Sequence, residues 1–170
     1  MGYKFSVMDP NIDEKRIRNK DPKKLVINLA YAKANTLLPK IKQPSILITA
    51  DQVVICNNKI LEKPKDKKEA KKFLAMYAKH PAQTITGIVV TNTKNKKHSA
   101  GISTATIWFK PISNELIKKI VAEESILACA GGFSLDTPII SQHVLKIRGT
   151  KDSITGLPIK LTGKLLAKVS

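Results

Sequence analysis

Apolar and polar positions change period along this chain, and the changes mark its elements. Phe5 and Val7 flank Ser6 with a period of two, which predicts a short strand over Phe5–Met8 that Asp9-Pro10-Asn11 turns away. Asp21-Pro22 then joins a capping acid to a proline at the first helical position, and predicts a helix to about Leu38, stopped by Pro39. Its core-facing stripe is Leu25, Leu29 and Leu37, and Lys33 falls on that same stripe. Ser45–Ala50 is almost wholly apolar and reads as a central strand with Asp51 at its end. Val53–Cys56 continues extended, Asn57-Asn58 makes a tight turn, and Lys59-Ile60-Leu61 pairs back. Asp66 with Glu69 forms a capping box that opens a helix to about Lys79. Ala82–Thr91 and Ala100–Phe109 are long β-rich runs joined by Thr93–Lys97, hence an antiparallel hairpin. Ser113 caps a helix to about Glu123, Val144–Arg148 is a strand, and Leu157-Pro158 precedes a last helix to Lys168 that Gly163 weakens. Helices and strands that alternate around a long hairpin predict an α/β fold, a mixed twisted sheet flanked by helices. With 170 residues and no repeat, low-complexity tract or linker, residues 1–170 read as a single domain.

Composition narrows the class. A chain 42% apolar and 25% charged can build an ordinary core, and disorder explains it poorly. No apolar run approaches the roughly 20 residues of a membrane helix, and Met1–Phe5 carries no signal pattern. Cys56 and Cys129 are too few for a disulfide framework and lie among apolar neighbours, so they read as buried thiols of a reducing cytoplasm. The formal charge of +17 attracts polyanions, either nucleotides or nucleic acid. Lysines are spread along the chain, and no aromatic platform stands beside the basic runs. A solvated basic surface is therefore favoured over a dedicated nucleic-acid footprint, which the charge still leaves open.

The chemistry-bearing residues form two groups. Ile12-Asp13-Glu14, Lys33, Asp51 and the Glu62-Lys63-Pro64 turn set carboxylates and lysines at element ends or on an otherwise apolar face. Such carboxylates can hold a magnesium ion that keeps most of its waters, and such lysines neutralise phosphate oxygens. Acids and lysines on a solvated surface, with the Lys33 stem passing the core, give the same pattern. The second group is Gln52, directly after Asp51, with Asp136 after the Ala130-Gly131-Gly132-Phe133 segment; Asp136 also suits a plain turn before Thr137-Pro138.

The order Phe5…Ile12-Asp13-Glu14, Ala32-Lys33-Ala34, Ala50-Asp51-Gln52-Val53-Val54, Ile60-Leu61-Glu62-Lys63-Pro64 resembles the signature of the Maf family of nucleoside-triphosphate pyrophosphatases. The helix from Glu69-Ala70 to Leu74, Thr86-Gly87, Phe109, Ala130-Gly131-Gly132-Phe133 and Gly149…Gly156-Leu157-Pro158 follow in the family's order. The resemblance spans about residues 3–168. It implies the Maf/inosine-triphosphatase-like fold and a magnesium-dependent hydrolase that cuts between the α and β phosphates, giving a monophosphate and pyrophosphate. It implies Asp51 as catalytic base, Glu14 and Asp51 as metal-holding acids, Lys33 and Lys63 as phosphate contacts, and Glu62 among the substrate contacts. Gln52 with an acid in the later Ala-Gly segment resembles the subgroup that acts on 7-methyl-GTP. Asp136 there would accept hydrogen bonds from guanine N1–H and N2–H but offers no donor to O4 of uracil or thymine. A homodimer is implied as well.

The family's opening strand and Ser-x-Ser-x-x-Arg loop do not occur in the sequence. The chain therefore reads as N-terminally truncated relative to the family, which would bare a strand edge. The expectations this raises are a shortened sequence, a nucleotide-binding regulator linked to septum formation and cell division, or an enzyme whose lysines replace the missing arginine.

Overall fold

The computed structural model describes residues 4–170. The reading of Met1-Gly2-Tyr3 as free of a signal pattern lies outside the described residues. Helix α1 spans Pro22–Leu37, and the Asp21 side chain accepts from the amides of Lys23 and Lys24, as its capping position requires. Strand β1 is Ile46–Cys56 and β2 is Lys59–Leu61. Asn57 and Asn58, both with positive φ (48° and 59°), make the turn between them, the backbone of a type I′ hairpin. Helix α2, Lys67–Tyr77, is capped by Asp66, which accepts from Glu69 N at 2.7 Å; Glu69 in turn accepts from the amide of Lys65 at 2.8 Å. Strands β3, Ala82–Asn92, and β4, His98–Phe109, form the long hairpin. Helix α3, Asn114–Ala122, starts from the Ser113 cap. The short α4, Pro138–Ser141, precedes β5, Val144–Arg148. The chain ends in α5, Lys151–Thr155, and α6, Ile159–Val169.

The fold class is the expected α/β one, with one difference in the sheet. Its order is β2-β1-β3-β4-β5, and every described pairing is antiparallel rather than mixed. Phe5–Met8 is not a strand. Phe5 and Val7 are each 85% exposed, and alternation alone cannot hold a strand without a neighbour's hydrogen-bond ladder. Asp51 stands in the middle of β1, not at a strand end: the ladder to β3 runs unbroken from Ile46↔Asn92 through Asp51↔Gly87 to Ile55↔Gln83.

Helix α1 covers one face of the sheet. Leu25, Val26 and Leu29 pack on Val53 and Ile85, while Ala30, Ala34 and Leu37 pack on Leu47 and Val89. Full burial of each such leucine contributes about 1.5–3 kcal/mol. Helices α2, α3 and α6 cover the other face over the cores built on Val54, Ile107 and Ile88. On its outer side β1 is paired with β2 only at Val54–Cys56. From Ile46 to Val53 that side meets no strand among the described residues, so the middle of β1 is an open edge. This open edge is where the functional groups gather.

Candidate active site

Two adjoining clefts lie along the open edge. One, of about 290 Å³, is lined by Lys33, Asp51, Gln52, Lys63, Cys129 to Ala130, Phe133 to Leu135, and Ile154 to Gly156. The other, of about 440 Å³, is lined by Ile12 to Lys15, Arg18, Leu29, Glu62 and the same Asp51, Gln52 and Lys63. Side chains alternate across a strand, and this alternation divides the two central residues. Asp51, opposite Gly87, faces α1, whereas Gln52, opposite Thr86, faces the α5 side.

Lys33 reaches the edge from α1, where the apolar stripe places it. Its Nζ lies 2.6 Å from Asp51 Oδ1 and 2.9 Å from Glu14 Oε1, and donates to the Ala50 carbonyl at 3.4 Å. The Lys33 and Asp51 side chains are only 16% and 11% exposed. Glu14 is set by a short 3₁₀ turn, Glu14–Arg16, which Asp13 caps by accepting from Lys15 N. Burial is the largest influence on Lys33 and acts to lower its pKa, but the bonds and charges of Asp51 and Glu14 together outweigh it and raise it. Burial also dominates at Asp51 and raises its pKa; Lys33 opposes this, Glu14 adds to it, and Lys63 lowers it. The two partners thus pull differently: the ammonium is held charged, while burial lifts the carboxyl above its usual value.

Lys63 is exposed, lines both clefts, and bears on the titration of Asp51 and Cys129. Glu62 does not join Asp51; its Oε1 accepts from Arg18 at 2.7 Å. The far rim is pinned by its backbone. Gly131 N donates to the Glu62 carbonyl at 2.9 Å, and the Gly131 carbonyl accepts from Tyr77 Oη at 2.7 Å. A Cβ at Gly131 would meet Tyr77 Oη and Val54 Cγ2 at 2.7 Å each, at a φ of +72°, so only glycine fits.

Asp136 is exposed, outside both cleft linings, and its amide donates to Ser134 Oγ, as in a turn. Its charge nevertheless acts at Cys129, whose thiol is pushed up first by burial and then by Asp136. The two cysteines differ: Cys56 is buried as expected, while Cys129 is only half-buried and lines the first cleft. Two further contributors, Arg18 and Ser153, were not singled out from the sequence, and Thr86 stood there only as part of the Thr86-Gly87 pair. Arg18 lies in an irregular stretch with no periodic signal. Ser153, and the tie of Thr86 to Gln52, were hidden because tertiary structure, not spacing, brings them together.

The arrangement can bind a phosphorylated ligand. Lysines offer charge to phosphate oxygens, one carboxylate is poised as a base, and two carboxylates converge on a single point. Fold and site together define an α/β protein with a cleft at a sheet edge, lined by Lys33 and Lys63 and by the carboxylates of Asp51 and Glu14.

The model of the family described as Maf-like protein matches residues 1–169. The chain belongs to the Maf-like family. It is 39% identical to a 7-methyl-GTP pyrophosphatase of Dictyostelium discoideum, over all of this chain and 89% of that protein. It is 30% identical to a dTTP/UTP pyrophosphatase of Vibrio cholerae, over 99% of this chain and 88% of that one. It is 29% identical to a nucleoside triphosphate pyrophosphatase of Synechococcus sp., over 99% of this chain and 85% of that one. Among the described residues no helix is long and apolar enough to cross a membrane.

Proposed function

We propose that the protein is a nucleoside-triphosphate pyrophosphatase, which hydrolyses the α–β phosphoanhydride to a monophosphate and pyrophosphate. The observation that carries this is Lys33 Nζ held between Asp51 and Glu14 at the open edge of β1, with Lys63 across the cleft. Asp51 takes a proton from the attacking water, a role that its raised pKa suits. Lys33 and Lys63 bind and orient the phosphate oxygens, and Glu62, which lines the second cleft, contacts the substrate in this reading.

A divalent cation, magnesium first, fits the donor set. Glu14 and Asp51 reach the point now taken by the ammonium, and their second oxygens accept no hydrogen bond among the described residues. No group of three candidate ligands occurs among those residues, and magnesium bound through one or two carboxylates completes its shell with water and substrate phosphates. When bound, such an ion supplies charge neutralisation at the phosphates and lowers the pKa of a coordinated water.

The substrate is proposed to be 7-methyl-GTP-like. Gln52 lines the first cleft, and the charge of Asp136 acts at Cys129 on its rim. The 7-methyl-GTP pyrophosphatase relative, aligned over the whole chain, supports the same reading. A cytoplasmic homodimer completes the proposal; sedimentation giving only monomer at micromolar concentration would remove the dimer. The activity is tested by pyrophosphate release from 7-methyl-GTP, GTP, UTP and dTTP, with magnesium and then with excess chelator. Release that is greatest from 7-methyl-GTP and stops on chelation is expected. Faster release from UTP would overturn the base preference, and chelator-resistant release would overturn the metal.

A further inference from the structure

The side-chain amide of Gln52 is fixed by bonds on the side of the sheet away from Asp51. Its Nε2 donates to Thr86 Oγ1 at 2.7 Å and to the Ser153 carbonyl at 3.2 Å. A backbone carbonyl only accepts, so the nitrogen end of the amide must face Ser153. Both N–H bonds of the amide are then used within the protein. Oε1 accepts from no group among the described residues and is left for the cleft that Gln52 lines.

The holders are themselves held. Thr86 is fully buried on β3, the central strand. The Ser153 carbonyl also accepts from Thr84 Oγ1 at 3.2 Å. Ser153 Oγ lies 3.0 Å from Ser103 Oγ and 2.8 Å from Thr150 Oγ1. This hydroxyl cluster draws on β3, β4 and α5 and fixes the Ser153 carbonyl.

We propose that Thr86, with the Ser153 carbonyl, is a positioning residue that locks Gln52 as a hydrogen-bond acceptor and so selects a base whose edge presents N–H donors. The proposal rests on the nucleotide-binding reading of the cleft. A guanine-type edge offers adjacent N1–H and N2–H donors. A uracil or thymine edge has one N–H between two carbonyl oxygens, which an acceptor repels. A freely rotating amide would serve either edge, because it could turn its N–H groups outward. Selectivity therefore comes from the tether as much as from Gln52 itself, since a locked acceptor is left unpaired by the wrong base.

Calorimetric binding of the products 7-methyl-GMP and UMP tests this without needing catalysis, so its failure is distinct from a failure to release pyrophosphate. The fitted stoichiometry reports the folded fraction of each variant. The unaltered chain is expected to favour 7-methyl-GMP by more than about tenfold, the scale of one well-placed hydrogen bond. Thr86→Val is expected to shrink that ratio about tenfold, by weakening 7-methyl-GMP and strengthening UMP. Thr86→Ser, which keeps the oxygen, is expected to hold the ratio within about twofold. The proposal is overturned if the unaltered chain shows no preference, if Thr86→Val leaves the ratio unchanged, or if Thr86→Ser falls as far as Thr86→Val.

Discussion

At the scale of single residues, Asp51 is the group on which the neighbouring charges act. Its carboxyl is lifted above the usual aspartate value by burial, so activity that needs it deprotonated is expected to fall away at a higher pH than an ordinary aspartate would give. Lys63 lowers that pKa and Glu14 raises it. Lys63→Ala is therefore expected to move the acid limb of kcat/KM to higher pH, and Glu14→Gln to move it lower. Limbs that move together, or not at all, would contradict the assignment. Lys33 acts on stability too. A raised folded pKa at Asp51 means that its contribution to stability is complete below the unfolded value and is lost as pH rises through the folded one. Lys33→Met removes the countercharge that limits this loss. It is expected to cost about 1–3 kcal/mol at neutral pH, the penalty of an unsatisfied buried group, and little once Asp51 is protonated. Denaturant unfolding across pH checks it, and a cost independent of pH would rule the ion pair out as the cause.

At the scale of elements, the site depends on how closely α1 lies on the sheet. Gly87, opposite Asp51, makes that approach possible: a Cβ there would sit 2.8 Å from the backbone carbon and oxygen of Val26. Gly87→Ala is expected to push α1 outward, destabilise by about 1–3 kcal/mol as overpacking does, and reduce activity by carrying Lys33 off Asp51. A fully active, equally stable variant would show that α1 is not the element that sets Lys33. Such dependence explains what was legible in the sequence. Asp21-Pro22, Asp66…Glu69, Ser113 and Asn57-Asn58 are local signals, and each element they mark is present. Lys33 was legible because a charge on an apolar stripe stands out. Phe5–Met8 was misread because a strand is a property of pairing, not of one segment. Arg18 and Ser153 carried no local mark, and Thr86-Gly87 gave no sign of the tie to Gln52, since only the tertiary fold brings these residues to Glu62 and Gln52.

At the scale of the whole molecule, the open half of the β1 edge is the organising feature. Its middle, around Asp51 and Gln52, is the floor of two joined clefts. The walls come from α1, the turn after β2, the Gly131 segment and α5, spread over more than half of the chain. The excess of 30 Lys and Arg over 13 Asp and Glu gives the chain a net positive charge, and Lys33 and Lys63 bring part of it to this floor. Capture of a polyphosphate is expected to be faster at low ionic strength, and a kcat/KM that does not change between 20 and 300 mM salt, taken as roughly the span over which screening grows, would remove that role. The central claim is that Asp51 directs water to the α–β anhydride of a nucleoside triphosphate. The most direct measurement is product analysis of 7-methyl-GTP turnover by the unaltered chain and by Asp51→Asn. Equal amounts of 7-methyl-GMP and pyrophosphate, formed at least about a hundredfold more slowly by the variant, are expected for a lost general base. Formation of 7-methyl-GDP and orthophosphate, or an undiminished rate in Asp51→Asn, would contradict the account.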